Sequence, residues 1–317
     1  MIIQPAPEDA LSAVLDLAAL EVACSVRLRA GGDWALRFRP IALKFNVVRR
    51  GACWLTVQAR PPVPLRAGDA FVVAGVPFVL SSAPDLPAVD AAQVFAGGTV
   101  AATYGPGDAV ELLGGSVALG GAAASDLLAL LPAVLVIRDP GQADAPLAWL
   151  LEQLDREWRG QLVGSQSVCN GLLRLMFVHA LRRHVAESEP PGWLGGLRDP
   201  AVAAALRAIH AAPATPWRLE ALAQVAGLSR SAFAARFKQC VGRAPVDYAA
   251  RWRMQVAAER LRNTELRVAS IAAELGFLSD AAFGAAFART HGTSPGRYRR
   301  EHRLGAQRPA AVRGRTS

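Results

Sequence analysis

The sequence predicts a multidomain α+β protein with a β-rich N-terminal domain, a helical linker and an all-α C-terminal domain. Three observations lead to this prediction: short strand-like segments before about residue 120, helical leucine spacing after residue 145, and a repeated helical unit in the last third. The chain of 317 residues is long enough for two domains of ordinary size. Its hydrophobic content of 52% excludes a disordered protein.

The β-rich domain is predicted from apolar segments separated by glycine and proline. These segments are Glu21–Leu28, Leu43–Val48, Cys53–Val57, Ala70–Val73, Phe78–Leu80 and Val110–Leu119. Strands of about four to eight residues at such spacing are typical of a sandwich or a barrel.

Two helices are predicted next. The first carries leucines at i, i+3, i+4 and i+7, and these are Leu147, Leu150, Leu151 and Leu154. The second runs from a cap at Ser165 to about Ala186 and is apolar around most of its girth. A helix of this kind is either fully buried or paired with a partner. We therefore interpret residues 141–192 as a helical linker that forms either a dimerisation hairpin or part of the core.

Charge separates the last third of the chain from the rest. From Arg198 to Ser317 there are 20 Lys and Arg against 8 Asp and Glu, a net charge of +12, whereas the first 197 residues have a net charge of −3. A basic domain joined to a mildly acidic one indicates a polyanionic partner for the basic domain only.

Several functional classes are disfavoured. Residues Met1–Leu20 lack a basic leader and a long apolar core, so no secretion signal is expected. The most apolar run, Leu127–Ile137, is only 11 residues long and contains Pro132, too short for a spanning helix. The four cysteines have no pair spacing, which fits a reducing compartment. We expect a cytoplasmic protein.

An internal repeat is the most informative feature of the sequence. Residues Leu219–Ser229 are echoed by Val268–Phe277, and each copy is a short amphipathic helix that ends at a glycine. A serine cap and a second helix follow, with matching phenylalanine, glycine, proline and tyrosine positions: Phe233/Phe237 and Phe283/Phe287, Gly242 and Gly292, Pro245 and Pro295, Tyr248 and Tyr298. The turn is one residue longer in the second copy.

Each copy predicts a helix-turn-helix. The phenylalanine face of the second helix packs on the first helix, and the opposite face stays free to enter a DNA major groove. One such match is weak because many helical hairpins share it, but two copies in register within a basic domain are specific. A long helix with Met254, Ala257, Ala258 and Leu261 on one face separates the two units.

Residues 216–300 resemble the DNA-binding domain of AraC/XylS-type transcription regulators, most specifically in the string from Gly276 to Arg299. This resemblance implies sequence-specific binding of double-stranded promoter DNA, usually activation in concert with RNA polymerase, and an N-terminal domain that responds to a ligand or dimerises. The predicted DNA-binding domain spans residues 197–302, and residues 303–317 form a basic tail.

The resemblance also assigns DNA-facing positions. In the first unit they are Arg230, Ser231, Ala234, Ala235 and Lys238, and in the second Asp280, Ala281, Gly284, Ala285 and Ala288. Nine arginines form a predicted phosphate-binding pool: Arg218, Arg236, Arg243, Arg251, Arg253, Arg289, Arg297, Arg299 and Arg300. Arginine and serine side chains can bond bases or phosphates, whereas the second set offers only Asp280 as a polar group. We expect the first unit to carry most of the base discrimination.

Residues 21–82 resemble the cupin-like β-barrel of many such regulators, on the strength of Leu65–Asp69 and the strand-like segments after it, and the predicted regulatory domain spans residues 1–140. Asn46 and Phe78 stand where metal-bearing cupins have histidine, and Arg50 stands where an acid is frequent. The barrel therefore lacks the histidine ligands that such a metal site needs, and no metal or cofactor is expected. A small effector is a hypothesis, with Phe38, Phe45, Trp54, Phe71 and Phe78 as its candidate pocket. The alternative is that these aromatic rings fill the barrel core.

Two other functions compete with a specific regulator. The small residues of the second recognition helix would suit a DNA-binding protein of low sequence specificity. A cupin-type enzyme would rest on the barrel alone, which lacks the metal ligands. The hypothesis of a specific regulator explains the repeat, the charge separation and the domain order together. No catalytic residue is assigned.

Overall fold

The computed structural model describes residues 9–40, 43–58, 60–96, 101–138, 145–160 and 162–306. The greater part of the predicted basic tail, residues 307–317, lies outside them. The described chain divides into two compact units. The sheet unit comprises residues 20–120 and 128–188, and the helical unit comprises residues 9–19, 121–127 and 189–306.

The sheet unit contains eleven strands among its described residues: β1 Leu20–Ala30, β2 Ala35–Phe38, β3 Leu43–Arg50, β4 Ala52–Val57, β5 Val63–Arg66, β6 Ala70–Ala74, β7 Phe78–Ser81, β8 Val89–Asp90, β9 Ala101–Tyr104, β10 Val110–Leu119 and β11 Val134–Ile137. They form a six-stranded sheet in the order β11-β6-β3-β10-β1-β9 and a five-stranded sheet in the order β5-β4-β7-β2-β8. A short helix α2, Ala91–Val94, follows β8.

The predicted closed barrel is corrected to two separate sheets over the described strands. No strand ladder joins the edge strands of one sheet to those of the other within the described residues. The sheets instead share one apolar core, in which Leu28 and Leu112 come from the larger sheet and Leu36, Leu55 and Leu80 from the smaller. Burial of these leucines, rather than a closed ring of backbone hydrogen bonds, holds the two sheets together.

The two helices of the predicted hairpin are α4, Ala145–Gly160, and α5, Ser165–Glu187, and they belong to the sheet unit. The N-cap prediction at Ser165 is wrong by one residue. Gly164, with φ +84°, is the cap, and the Ser165 Oγ donates to the carbonyl of Glu157 at 2.8 Å. No helix in the described part of the chain is both long and apolar enough to cross a membrane.

The helical unit contains these helices: α1 Ala10–Leu17, α6 Trp193–Gly196, α7 Pro200–Ala211, α8 Leu219–Val225, α9 Arg230–Val241, α10 Pro245–Asn263, α11 Val268–Glu274, α12 Asp280–His291 and α13 Pro295–Ala306. It also includes helix α3, Ala124–Leu128, except for the last residue of that helix. Asp199 caps α7 and Pro200 occupies its first turn. The Asp199 carboxylate accepts the backbone N–H groups of Ala201 and Val202 at 3.0 and 3.1 Å.

Two segments that precede residue 189 also belong to the helical unit. Asp126 receives two hydrogen bonds from the Arg251 guanidinium, at 2.7 and 3.1 Å, and one from the Gln255 amide at 2.7 Å. In α1, the carbonyl of Ala10 lies 3.2 Å from Nδ1 of the buried His210. Neither the helix at residues 10–17 nor the role of Asp126 is predicted from the sequence, because both depend on contacts between residues far apart in the chain.

Candidate nucleic-acid interface and sheet cavity

The first helix-turn-helix is formed by α8 and α9. Its turn needs a left-handed residue, and Gly227 supplies it with φ +66°. Ser229 then caps α9, since its hydroxyl accepts the N–H of Ala232 at 3.3 Å. Phe233 and Phe237 are completely buried and fix one face of α9. The opposite face is therefore the one left for a ligand.

The second unit, α11 and α12, repeats this plan. Gly276 has φ +76°, and the Ser279 hydroxyl accepts the N–H of Ala282 at 3.2 Å. Phe283 and Phe287 are completely buried. The longer turn of this copy contains Leu278, whose side chain is fully exposed.

Matching aromatic contacts hold each recognition helix against the helix that follows it. The rings of Phe237 and Tyr248 meet edge to face at 5.8 Å, and those of Phe287 and Tyr298 at 5.3 Å. Gly242 and Gly292 end the two recognition helices in the left-handed conformation. The predicted repeat is thus a structural repeat, with α10 between its copies.

The free face of α9 carries polar and cationic groups. Arg230, Ser231, Ala235 and Lys238 are exposed, and Ala234 is half-buried. The Arg230 guanidinium lies 2.9 Å from the Glu220 carboxylate of α8, and this hydrogen bond holds the pKa of Glu220 below its usual value. Both side chains are largely exposed, so the ion pair contributes little to stability and Arg230 can leave it at small cost.

The free face of α12 is almost bare. Asp280, Ala281, Ala285 and Ala288 are exposed and Gly284 is half-buried. Asp280 is the single charged group among these five positions. Arg289, one residue further along, is exposed and makes no ion pair among the described residues. This face offers close approach and contact with thymine methyl groups rather than many hydrogen bonds.

Five of the nine arginines in the predicted phosphate-binding pool have partners within the protein. Arg236 pairs with Asp199, Arg251 with Asp126 and Arg297 with Glu301, while Arg253 donates to the carbonyls of Pro213 and Thr215, and Arg299 to that of Leu266. The other four make no ion pair within the described part of the chain, and these are Arg218, Arg243, Arg289 and Arg300. The structure thus separates arginines with partners inside the protein from those that make no ion pair among the described residues.

A cavity of about 450 Å³ lies in the sheet unit, lined from both sheets. Its apolar walls include Leu28 of β1, Leu112 of β10 and the rings of Phe38, Phe78 and Phe95. The Phe38 and Phe78 rings are stacked, with centroids 4.9 Å apart and planes 10° from parallel. The volume lies within the range of about 300–1,000 Å³ that is usual for small-molecule sites.

The predicted effector pocket is only partly reproduced by this cavity. Phe38 and Phe78 line it, whereas Phe45, Trp54 and Phe71 are not among its lining residues. Phe45 lies in β3 between Lys44 and Asn46, and successive side chains of a strand point to opposite faces. Consequently Lys44 and Asn46 reach the cavity and Phe45 does not. Aromatic content alone could not reveal which strand face is inside.

Two polar side chains of β3 meet the cavity. The Lys44 ammonium donates to the Ser116 hydroxyl at 2.6 Å, and burial lowers the pKa of Lys44. The Nδ2 atom of Asn46 is buried and has no hydrogen-bond partner in the described structure. Within the same part of the chain, no cluster of three or more His, Cys, Asp and Glu side chains is placed to hold a metal ion.

Comparison with known proteins finds likeness along most of the chain. Residues 9–186 match a family described as Cupin, and residues 222–301 match one described as Helix-turn-helix domain. A protein of Streptomyces lividans described as an AraC-like transcription regulator is 40% identical over 302 residues, which cover 92% of this chain and 98% of that protein. One of the same description from Streptomyces antibioticus is 39% identical over 298 residues, with coverage of 92% and 98%. The regulator AlkR of Acinetobacter baylyi is 33% identical over 181 residues, covering 56% of this chain and 59% of that protein.

Proposed function

Because this chain belongs to the AraC-like transcription regulators, we propose that its first recognition helix selects the DNA site while its second mainly holds the complex in place. The chain is a sequence-specific DNA-binding regulator with a cupin domain and a helix-turn-helix domain. The contrast between the free faces of α9 and α12 is the main support for this division of work.

On the first helix, Arg230 is suited to bidentate contact with guanine, Ser231 to a base or a phosphate, and Lys238 to a phosphate. All three side chains are exposed. On the second helix, Asp280, Ala281 and Ala285 fit against the groove, where small side chains permit close packing but give few directional contacts. Among the nearby cations, Arg289 is free to neutralise phosphate. Arg297 and Arg299 can assist only when they leave Glu301 and the Leu266 carbonyl.

Selection of bound fragments from random DNA, followed by sequencing, tests this division of work. We expect a motif with strongly preferred bases over one major-groove segment and weak preferences over the adjacent one, about one helical turn of 34–36 Å away. Two equally strong half-motifs would contradict the proposal.

The same selection experiment distinguishes a specific regulator from a DNA-binding protein of low sequence specificity. A specific regulator keeps an affinity gap of about 10³–10⁷-fold between its site and random DNA at physiological salt. Enrichment of no motif, with affinity that depends only on salt concentration, would support the low-specificity alternative.

We also propose the wider setting of this activity. The chain acts in the cytoplasm, where its DNA is, and activates transcription together with RNA polymerase. Its role is regulatory rather than catalytic.

We further propose that the chain forms a homodimer through α4 and α5. Support for the dimer comes from large apolar side chains left exposed on these helices, namely Trp149, Val168 and Leu175. Light scattering should give twice the chain mass, and Leu175→Glu should return the protein to a monomer. A monomeric parent protein would refute the dimer.

A further inference from the structure

We propose that Arg236 is a positioning residue for the first recognition helix: it acts through Asp199, and together with helix α6 this contact forms a clamp that sets the direction of α9. The proposed function is the premise, since the direction of α9 matters most if this helix selects the DNA site. Arg236 thereby leaves the predicted phosphate-binding pool. It influences the base preference without touching the DNA.

Arg236 lies on the side of α9 that faces away from the proposed DNA-facing positions. It precedes Lys238 by two residues, which corresponds to about 200° around a helix of 3.6 residues per turn. Residues at this spacing do not share a face. When α9 presents Lys238 to the DNA, Arg236 therefore points back toward α7, where its guanidinium meets Asp199.

The two oxygen atoms of the Asp199 carboxylate have different partners. Oδ1 accepts the backbone N–H groups of Ala201 and Val202 at 3.0 and 3.1 Å, and this caps α7. Oδ2 accepts the Nε–H group of Arg236. The cap fixes the carboxylate, and only 14% of the Asp199 side chain is exposed, so Arg236 bonds to an acceptor that is already held in place. The bond thus ties the middle of α9 to the first turn of α7.

Helix α6 supports the C-terminal end of α9. Leu194 of α6 is completely buried, and Gly196 packs against Val241, the last residue of α9. A Cβ atom at residue 196 would lie 3.0 Å from the Val241 side chain, 3.0 Å from that of Val202 and 3.1 Å from that of Leu206. The missing side chain therefore lets α6 pack closely against α9 and α7 at once. The contact with α6 and the bond to Asp199 hold α9 at two points along its length.

The second recognition helix has no arginine at the corresponding position. The phenylalanine pairs of the two copies align Arg236 with Ala286, whose side chain has no hydrogen-bonding group. The clamp therefore belongs to the recognition helix that carries Arg230. A fixed direction matters most for Arg230, because bidentate hydrogen bonds to guanine weaken steeply when the donor is misaligned.

The variant Asp199→Asn separates the bond to Arg236 from the helix cap. Asparagine is as good an N-cap as aspartate, since its side-chain carbonyl oxygen still accepts the N–H groups of α7. Its amide nitrogen takes the place of Oδ2 and cannot accept a hydrogen bond from Arg236. Arg236→Gln removes the guanidinium from the other side of the bond. Lys238→Ala, on the same helix, is the matched comparison for a phosphate contact.

The affinity of the full chain is measured for its selected DNA site and for single-base variants of that site, at several salt concentrations. We expect D199N and R236Q each to reduce the preference for the selected base pairs under α9 about tenfold and to leave the preference under α12 unchanged. The double variant should lose no more than either single variant, since both changes break the same bond. A preference is a ratio of affinities, so partial unfolding, which weakens binding to all sequences alike, does not alter it.

A phosphate contact by Arg236 leads to the opposite results. R236Q would then weaken binding to all sequences alike and reduce the salt dependence by about one counterion, as expected for K238A. D199N, which releases Arg236 and removes a negative charge, would strengthen binding. Either result would overturn the inference, and so would base preferences that stay unchanged in both variants.

The same measurements separate failure of this inference from failure of the proposed function. A strong preference under α9 that neither variant reduces would overturn the clamp and leave the division of work intact. Equally strong preferences under α9 and α12 in the parent protein, with only those under α9 reduced by the variants, would support the clamp and overturn the division of work. A protein that prefers no DNA motif would overturn both.

Discussion

Arg230 is the residue on which discrimination between DNA sequences depends most in this account. Arg230 begins the recognition helix α9, and among the described residues its exposed guanidinium is held only by an ion pair with Glu220. Arg230→Ala should weaken the free energy of DNA binding by about 1–3 kcal/mol. It should also relax the base preference at the one base pair that Arg230 contacts. Competition binding with single-base variants of the selected site measures this loss.

Lys238 provides the contrast to Arg230 within the same helix. A phosphate contact carries no sequence information, so Lys238→Ala should weaken binding to all sequences alike and reduce the salt dependence by about one counterion. The assignment of the two residues would be wrong if R230A weakened all sequences equally.

His210 should make stability depend on pH. Its ring is stacked on Trp252 with centroids 3.8 Å apart, and Nε2 lies 2.8 Å from the Tyr248 hydroxyl. Since the Ala10 carbonyl can only accept, Nδ1 carries the proton and Nε2 accepts from Tyr248. Burial lowers the pKa of His210 to about 3, so the folded state holds a neutral ring.

A group whose pKa is depressed on folding stabilises the protein above its unfolded pKa, and this contribution is lost as pH falls. For His210 the window runs from about pH 6.5 down to pH 3, and the loss reaches about 2 kcal/mol at pH 5. Urea unfolding at pH 7 and pH 5 should therefore show a smaller difference for His210→Phe than for the parent protein. An equal difference in both would exclude His210 as the cause.

Single residues also mark where sequence reasoning stops. The exposed positions of α9 followed from the repeat, because buried phenylalanines one turn apart fix the opposite face. The internal partners of Arg236, Arg251 and Arg253 could not be foreseen, since Asp199, Asp126 and the Pro213 carbonyl are distant in sequence. Likewise, Lys44 went unnoticed because the inward face of β3 depends on its pairing with β10.

At the scale of elements, the two turns of the helix-turn-helix units differ in their surroundings. Gly227 and Gly276 both have positive φ, so alanine at either position costs about 1–2 kcal/mol from backbone strain. A Cβ at residue 227 would meet nothing within 4 Å, whereas one at residue 276 would lie 2.6 Å from the Ala214 carbonyl oxygen. Chemical unfolding should show a larger loss of stability for Gly276→Ala than for Gly227→Ala. Equal losses would mean that the Ala214 contact is unimportant.

Helices that are marked by residues close together in the sequence were predicted well. The pairs α8/α9 and α11/α12 follow from glycine, serine and phenylalanine positions within each repeat, and α4 follows from its leucine spacing. Short strands such as β8 and β9 escaped prediction because tertiary pairing rather than local pattern defines them. The closed barrel was predicted in error, since the pattern of short strands is common to barrels and to stacked sheets.

At the scale of the whole molecule, the helical unit is completed by segments that precede the predicted DNA-binding domain in the sequence. Asp126 joins one of them to α10 through Arg251 and Gln255. Asp126→Asn removes the charge of this contact, and we expect the free energy of unfolding to fall by about 1–2 kcal/mol. The expected loss is no larger because both side chains of the ion pair are about one-third exposed and solvent weakens their attraction. Thermal unfolding measures the loss. Glu301→Gln, which removes the partner of the exposed Arg297, is the matched control and should have little effect.

The division of work between the two recognition helices is the central claim, and base-pair substitution in the selected DNA site tests it most directly. The affinity of the full chain is measured after each base pair under α9 and each base pair under α12 is exchanged in turn. We expect losses of about 1–3 kcal/mol in binding free energy for contacted positions under α9 and losses well below this under α12. Losses of equal size under both helices, or larger losses under α12, would contradict the claim.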